Sequence, residues 1–459
     1  MTRKGFTRRE KDIWSNFEPE KDKAYVIYCG NRYFGELTEA LIPRLSNIHG
    51  RPVEVIKLTN VVGPFDENII AAYPGLDEMM QEPTRAKWFW PPHNGELKGI
   101  FQRDYVQGLM KRLIENQGMV FFDAFANTLP TEELPEGVKV MGPPSDLVRV
   151  LDNKFDMYAF LEKNGFPVPE GLIVEGRAAV IKVFKDMFSE GAYVTRAHSV
   201  SGRGCQVFGS ESELEKSCFL SEDEKYSIRK KIDVVSSPTI SGIIGGPDDV
   251  HVFYLVDQIL AEGTKIKGVE FPSRLPQDTQ EEIFRITEDI GHTLAETEGE
   301  QGFYRGFFNV DVMVAGDGRV YVAEINPKKF GSCLVYHAAY ETLRPERSPS
   351  LAEMYFLSSE EERSGIHRFD RTPGNLHWAR RVVKVPDGTV VKSDLEGYTE
   401  DLVECFRERI PAFTYFSGRG NKTYGDACVL GEVCIASDKP FDGEQETSRH
   451  EELIKEQVL

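Results

Sequence analysis

The first 140 residues alternate short apolar runs with longer stretches of helical periodicity. "AYVIYCG" at 24–30, "PVEVIKLT" at 52–59 and "GMVFFDAF" at 118–125 are too short for helices. They have the character of strands buried on both faces. "ELTEALIPRL" at 36–45 and "DYVQGLMKRLIENQ" at 104–117 space their apolar residues as helices do. The alternation predicts a parallel-sheet α/β domain over 23–140, after a polar arm at 1–22.

The pattern changes beyond 141. In "GPPSDLVRVLDNKFDMYAFLEKNGFPVPEG", Asp152 is placed to cap a helix that begins near Asn153 and stops at Gly165, with Pro167 and Pro169 beyond. Lys154 then lies in its first turn. "GAYVTRAHSVSGRGCQVFG" at 191–209 predicts a strand, a Ser/Gly loop and a second strand. "VHVFYLVDQIL" is a further strand, and "QEEIFRITEDIGHTLAETEG" an amphipathic helix before a hairpin. A β-rich segment starts near 372, and 441–459 is expected to be a loose polar tail.

The hairpin is "FFNVDVMVAGDGRVYVAEIN" at 307–326. Asp317-Gly318 suits a two-residue turn, which needs positive φ at both central positions. Counting outward, Gly316 faces Arg319, Val314 faces Tyr321, Asp311 faces Glu324 and Asn309 faces Asn326. Side chains alternate, so Asn309, Asp311, Glu324 and Asn326 share one face. Phe308, Val310, Val312, Val314, Tyr321, Ala323 and Ile325 share the other, as core. Two carboxylates directly opposite are roughly 5 Å apart at Cβ and repel. A shared proton, neighbouring Lys or Arg, or a hard cation would offset this; Mg²⁺ is usually held by one or two carboxylates plus substrate phosphates. Taken alone, the stretch also fits a solvated outer face.

Composition narrows the class. The chain has 459 residues, 40% hydrophobic and 28% charged, with net charge −19. That length suggests two or three domains. So acidic a chain does not hold nucleic acid or an anionic membrane by bulk charge. Cys29, Cys205, Cys218, Cys333, Cys405, Cys428 and Cys434 are scattered, with no CxxC pair. This argues for a reducing compartment and against a zinc site or disulfide framework. No signal-type start and no apolar run near the ~18 residues of a membrane helix is visible. The expectation is a cytoplasmic protein.

Three features fit one job. The loop Ser199–Gly204 can lay backbone N–H groups on phosphates. Arg203, Arg196 and Lys154 add positive charge. Asp311, Glu324 and Asn326 supply metal ligands. Together they suit a Mg²⁺-bound nucleoside triphosphate. Singly, such a loop is more often a turn and such a lysine a solvated one. "GRGNKT" at 418–423 lacks Walker A spacing. His198, beside the loop, is read as packing or solvated rather than a base.

Over roughly 141–345 this set resembles the ATP-grasp superfamily. The resemblance rests on "GPPSDLVRVLDNK", "YVTRAHSVSGRG", "DQIL" followed by "KGVEFPSRLP", and above all "VDVMVAGDGRVYVAEINP". It implies an α/β (α+β) fold. An N-terminal parallel-sheet domain would precede a two-lobed core at 141–360, with a glycine-loop lid at about 175–235. ATP would be clamped between two antiparallel sheets, and a β-rich C-terminal domain would span 372–440. It implies Lys154, Arg196, Ser201, Gly202, Arg203 and Gly204 as nucleotide contacts. Asp311, Glu324 and Asn326 become ligands for Mg²⁺, with Mn²⁺ as the alternative. Lys328, Arg274 and Arg196 become catalytic, Arg274 on the acceptor side. Arg196 and Lys328 stand where the family usually has Lys and Arg respectively, and "YSIRKKIDVV" has no clear nucleoside hinge. The implied activity is an ATP-dependent carboxylate–amine ligase of a biosynthetic pathway, working through an acyl phosphate. Its substrates would be an acid and an amine, either free or on a carrier protein, in a homodimer as in many relatives. A carboxylase or nucleotide-precursor enzyme, and a catalytically silent nucleotide-binding scaffold, are the alternatives.

Overall fold

The computed structural model describes residues 17–30, 41–59, 69–72, 104–124, 134–200, 203–261, 265–300, 302–329, 333–343, 375–386, 395, 398, 402–415 and 429–458. The arm at 1–16, loop residues Ser201 and Gly202, and the "GRGNKT" segment lie outside them.

The N-terminal part contains β1 (Ala24–Gly30), α1 (Ile42–His49), β2 (Val53–Thr59), β3 (Ile69–Ala72), α2 (Asp104–Gln117), β4 (Val120–Ala124) and β5 (Val138–Met141). The strands form a parallel sheet in the order β3-β2-β1-β4-β5. Alternate residues feed two cores, as strands covered on both faces must. Tyr25, Ile27, Cys29, Phe122 and Ala124 pack with Val106, Leu109 and Leu113 of α2. Ala24, Val26, Tyr28 and Phe121 pack with Leu45 of α1 and with the large sheet below. The strand order reverses between β1 and β4, so the crevice outside their carboxyl ends is the sheet's switch point.

Two helices come next, α3 (Ser145–Asp152) and α4 (Lys154–Lys163). Asp152 ends α3 instead of capping α4. The cap is Asn153, whose side chain accepts from the Phe155 N–H at 2.9 Å.

A four-stranded antiparallel sheet, ordered β6-β9-β7-β8, uses β6 (Gly171–Glu175), β7 (Ala192–Val200), β8 (Arg203–Phe208) and β9 (Lys225–Lys230). Its helices are α5 (Arg177–Met187) and α6 (Glu211–Lys216). Val194, Tyr226 and Ile228 face the helices and bury against Val180, Phe184 and Leu214. Tyr193 pairs with Arg229 and Thr195 with Ser227 in the register, so these four share the opposite face.

The nine-stranded sheet collects β10 (Val234–Ser236), β11 (Pro238–Gly246), β12 (Asp249–Ala261), β13 (Lys265–Phe271), and, beyond α7 (Gln277–Ala295) and the small ribbon β14 (Glu298–Gly299) and β15 (Gly302–Phe303), β16 (Gly306–Ala315) and β17 (Val320–Asn326). After α8 (Cys333–Leu343) come β18 (His377–Lys384), α9 (Leu402–Glu408), β19 (Ala412–Tyr415), β20 (Val429–Ser437) and α10 (Gly443–Val458). β18 pairs with β13, so the C-terminal strands continue this sheet. Ile283, Ile290 and Leu294 of α7 cover one face with Ile240, Leu255, Phe308 and Val310.

The loose tail expected over 441–459 is instead mostly α10. It has one apolar core residue, Ile454, so hydrophobic periodicity did not reveal it. Polar contacts anchor it: Arg381 Nε donates to Glu451 Oε2 at 2.5 Å, and the Tyr398 hydroxyl is 2.8 Å from His450 Nδ1.

The hairpin turn is one residue longer than expected. The Ala315 N–H bonds to the Arg319 carbonyl at 2.9 Å, and Gly318 sits at φ +84°. That geometry is a three-residue loop with glycine in the left-handed region. Val314 therefore faces Val320, not Tyr321. A bulge between Asp311 and Val312 restores the count, and Asp311 still faces Glu324. Because of the offset, Val320 and Val322 enter the core, whereas Tyr321 and Ala323, expected there, do not.

Candidate functional site

The bulge builds the site. It leaves backbone groups of β17 outside the ladder, and α4 satisfies them. The Tyr158 hydroxyl donates to the Ala323 carbonyl at 3.2 Å, and the Ile325 N–H reaches Met157 Sδ at 3.2 Å. Docking α4 this way carries Lys154 from its first turn onto Glu324. The two form an ion pair, with Lys154 only 5% exposed.

Asp311 completes the face. Its carboxylate accepts from Gln258 Nε2 at 3.1 Å and from Asn326 Nδ2 at 3.1 Å. Burial first, and the facing Glu324 second, push its pKa up to about 6. The expected repulsion is therefore present in the fold. Asn309 lies alongside, accepting from the Ser241 hydroxyl and donating to the Lys328 carbonyl at 3.1 Å. Lys328 Nζ stands 3.6 Å from Asp152 Oδ1.

Among the described residues no three His, Cys, Asp or Glu side chains cluster for a metal. The donor set here is two carboxylates and one amide, all able to offer oxygen, with a carboxylate pair that Lys154, Gln258 and Asn326 offset only in part. That chemistry fits a hard cation such as Mg²⁺, whose remaining positions water and phosphate would fill.

The pKa of Asp311 sets a sign. A cation needs the deprotonated form, so Mg²⁺ affinity should weaken as pH falls through about 6. Stability runs the other way. The folded state holds this proton more tightly than the unfolded chain, so this group's contribution to stability declines as pH rises from about 4 to about 6. Calorimetric Mg²⁺ titrations with nucleotide at pH 5, 6 and 7 check it. Equal affinity at all three would contradict the assignment.

The four-stranded sheet contributes the face opposite its helices. Arg229, 2% exposed, stacks 3.6 Å from the Tyr158 ring and donates to Glu162 Oε1 and the Pro169 carbonyl, each at 2.8 Å. It clamps β9 to α4. Gly204 at φ +84° lies just past the loop and needs glycine there. The Arg203 side chain is outside the described residues. His198 is exposed.

Two expected residues are not brought to this cluster. Arg196 shares the helix-facing side of β7 with Val194. Its guanidinium pairs with Glu224 at 3.0 Å, bonds the Phe219 carbonyl at 2.9 Å and covers the Phe219 ring. Arg274 lies across the large sheet. Gln258 reaches Asp311, so its neighbour Asp257 faces the other way, and it is Asp257 that accepts from the Arg274 N–H at 2.7 Å. The Arg274 guanidinium binds Glu270 at 3.0 Å. Arg274→Ala should thus leave turnover and both substrates' KM values within about twofold, the usual scale of a surface change. A tenfold rise in KM for the acceptor would return Arg274 to the active site. Lys329, the residue after Lys328, is buried against Asp123. Sequence reasoning missed Gln258, Tyr158 and Arg229; Gln258 was visible only as the polar residue alternating into the same face as Asp311.

No family model matches the chain. It is 26% identical over 236 residues to the tetrahydromethanopterin:alpha-L-glutamate ligase of Methanocaldococcus jannaschii, covering 51% of this chain and 76% of that protein. It is 24% identical over 200 residues to the carbamoyl phosphate synthase large chain of Thermus thermophilus, covering 42% of this chain and only 18% of that enzyme. Among solved structures, N5-carboxyaminoimidazole ribonucleotide synthetase from Thermotoga maritima superposes with a TM-score of 0.60 at 14% identity, over 95% of this chain and 99% of that one. The biotin carboxylase domain of Hydrogenobacter thermophilus 2-oxoglutarate carboxylase gives 0.61 at 11% identity, over 90% and 86%. This fold and these relatives together indicate the ATP-grasp superfamily.

Proposed function

We propose that the chain is an ATP-dependent carboxylate–amine ligase that joins an acid to an amine, such as an amino acid, through an acyl phosphate. The observation carrying this reading is the Asp311/Glu324/Asn326 face with Lys154 closed onto Glu324. The likeness to a glutamate ligase favours an amino-acid acceptor.

The substrate carboxylate oxygen attacks the terminal phosphorus and ADP leaves. The amine nitrogen then attacks the acyl carbon. The carbon–oxygen bond breaks, inorganic phosphate departs with the carboxylate oxygen, and the amine proton passes to it or to solvent. A bound Mg²⁺ would neutralise phosphate charge. Asp311, Glu324 and Asn326 would hold it, with Gln258 fixing Asp311. Lys154 and Lys328 would stabilise charge on the transferring group. The sheet of β6–β9, with the turn between β7 and β8, would act as a lid that keeps water from the acyl phosphate.

The test is ADP release with Mg²⁺ and ATP against acids and amines offered singly and in pairs. Release that requires one particular pair supports the ligase. Release with bicarbonate and an amine alone would replace it with a carboxylase. Nucleotide binding without any release would leave a silent scaffold.

A further inference from the structure

The residue after Lys328 does something that neither its charge nor its place near the site required. Lys329 Nζ bonds Asp123 Oδ2 at 2.6 Å, with the two side chains 1% and 0% exposed, and lies 5.2 Å from the centre of the Tyr28 ring. Tyr28 and Asp123 lie near the carboxyl ends of β1 and β4, the two strands flanking the switch point. Lys329 lies just beyond the end of β17, five positions after Glu324 and three after Asn326. β17 stops pairing at Asn326, so no ladder holds residues 327–329. The turn is pinned from two sides instead. Lys328 leans toward Asp152 while Lys329 enters the N-terminal sheet.

We propose that the Asp123–Lys329 pair is a positioning device. It ties the end of the metal-binding strand to the N-terminal sheet and so fixes where Asn326 and Lys328 stand against Asp311. This rests on the reading of that face as a Mg²⁺-nucleotide site. Stability alone does not account for the pair. A fully buried ion pair loses hydration on both sides, and a well-packed apolar pair is often as stable or more so. What an apolar pair lacks is one fixed geometry. The pair is not assigned any contact with substrate; it acts through the backbone of 326–329, whose Lys328 carbonyl accepts from Asn309.

Two variants separate positioning from stability. Asp123→Leu/Lys329→Met removes both charges together. Asp123→Glu keeps both and lengthens one arm. Each is titrated with ATP in Mg²⁺ and in EDTA, and melted. The double variant should melt cooperatively and bind ATP in EDTA within about twofold of wild type, because Lys154 is held by α4. Its Mg²⁺-dependent gain in affinity should fall about tenfold, the lower end for losing an outer support of a metal ligand. Asp123→Glu should lose a smaller part of that gain at nearly unchanged melting temperature. Should the double variant not fold, Asp123→Glu decides. Full Mg²⁺ gain in a folded variant would overturn the proposal. A wild-type protein with no Mg²⁺ gain would instead overturn the nucleotide-site reading and this inference with it.

Discussion

Glu324→Gln should remove Mg²⁺-dependent turnover, by about two to three orders of magnitude, and leave a folded protein. The substitution keeps shape and removes one charge from the donor set. A metal contributes several kcal/mol of charge stabilisation in such reactions, and each 1.36 kcal/mol is about tenfold in rate. The fold tolerates the change for two opposing reasons. Lys154 loses its ion-pair partner, which costs stability. Asp311 loses the facing carboxylate that raises its pKa, which restores some. The melting temperature should stay within about 2 °C, since in a chain this long roughly 1 kcal/mol shifts it by only about 1 °C. A separate signature is expected: the Asp311 pKa falls below about 6 by the part Glu324 contributes, while burial, the larger cause, still holds it above the ordinary carboxylate range. Unchanged Mg²⁺-dependent activity in a folded Glu324→Gln protein would sink the metal assignment.

Lys154→Met should show a different pattern. Methionine retains most of the aliphatic stem that packs at the start of α4, so α4 stays docked. The lost ammonium removes a charge-assisted contact to phosphate, worth about 1.5–3 kcal/mol. Nucleotide affinity should fall about 10- to 100-fold, in Mg²⁺ and in EDTA alike. The two variants therefore dissociate, because Glu324 matters only with metal and Lys154 matters without it. If Lys154→Met bound ATP in EDTA as tightly as wild type, the lysine would be a structural counter-ion for Glu324 and nothing more. Measuring both variants with the same titration settles which description holds.

The site was legible where chemistry and periodicity agreed. Asp311 and Glu324 were paired correctly although the turn was not, because a longer loop and a bulge shift the register by one residue in opposite directions. Neither is marked by an unusual residue, so Tyr321 and Ala323 were assigned to the wrong side. Three of the five N-terminal strands were legible because their buried runs are short and bounded, whereas the four-residue β3 and β5 were not predicted. Arg196 and Arg274 were misplaced by strand parity, not by charge. Val194 in the helix-facing core puts Arg196 on that same side, and that alternation was available in "YVTRAH". For Arg274 the deciding fact is which of Asp257 and Gln258 faces Asp311. Only the folded sheet answers that. The Asp123–Lys329 pair was not legible at all, because its two residues lie 206 positions apart. No local pattern reports so distant a contact.

The measurement that bears most directly on the metal–nucleotide site is ATP binding to the wild-type protein, titrated in Mg²⁺ and again in EDTA at pH 7. It requires no knowledge of the acid or the amine. Measurable binding is expected in EDTA, through Lys154, and binding at least about tenfold tighter in Mg²⁺, with the gain abolished in Glu324→Gln. Equal affinity in both conditions, or a gain that survives Glu324→Gln, would contradict the claim that Asp311, Glu324 and Asn326 form a metal–nucleotide site.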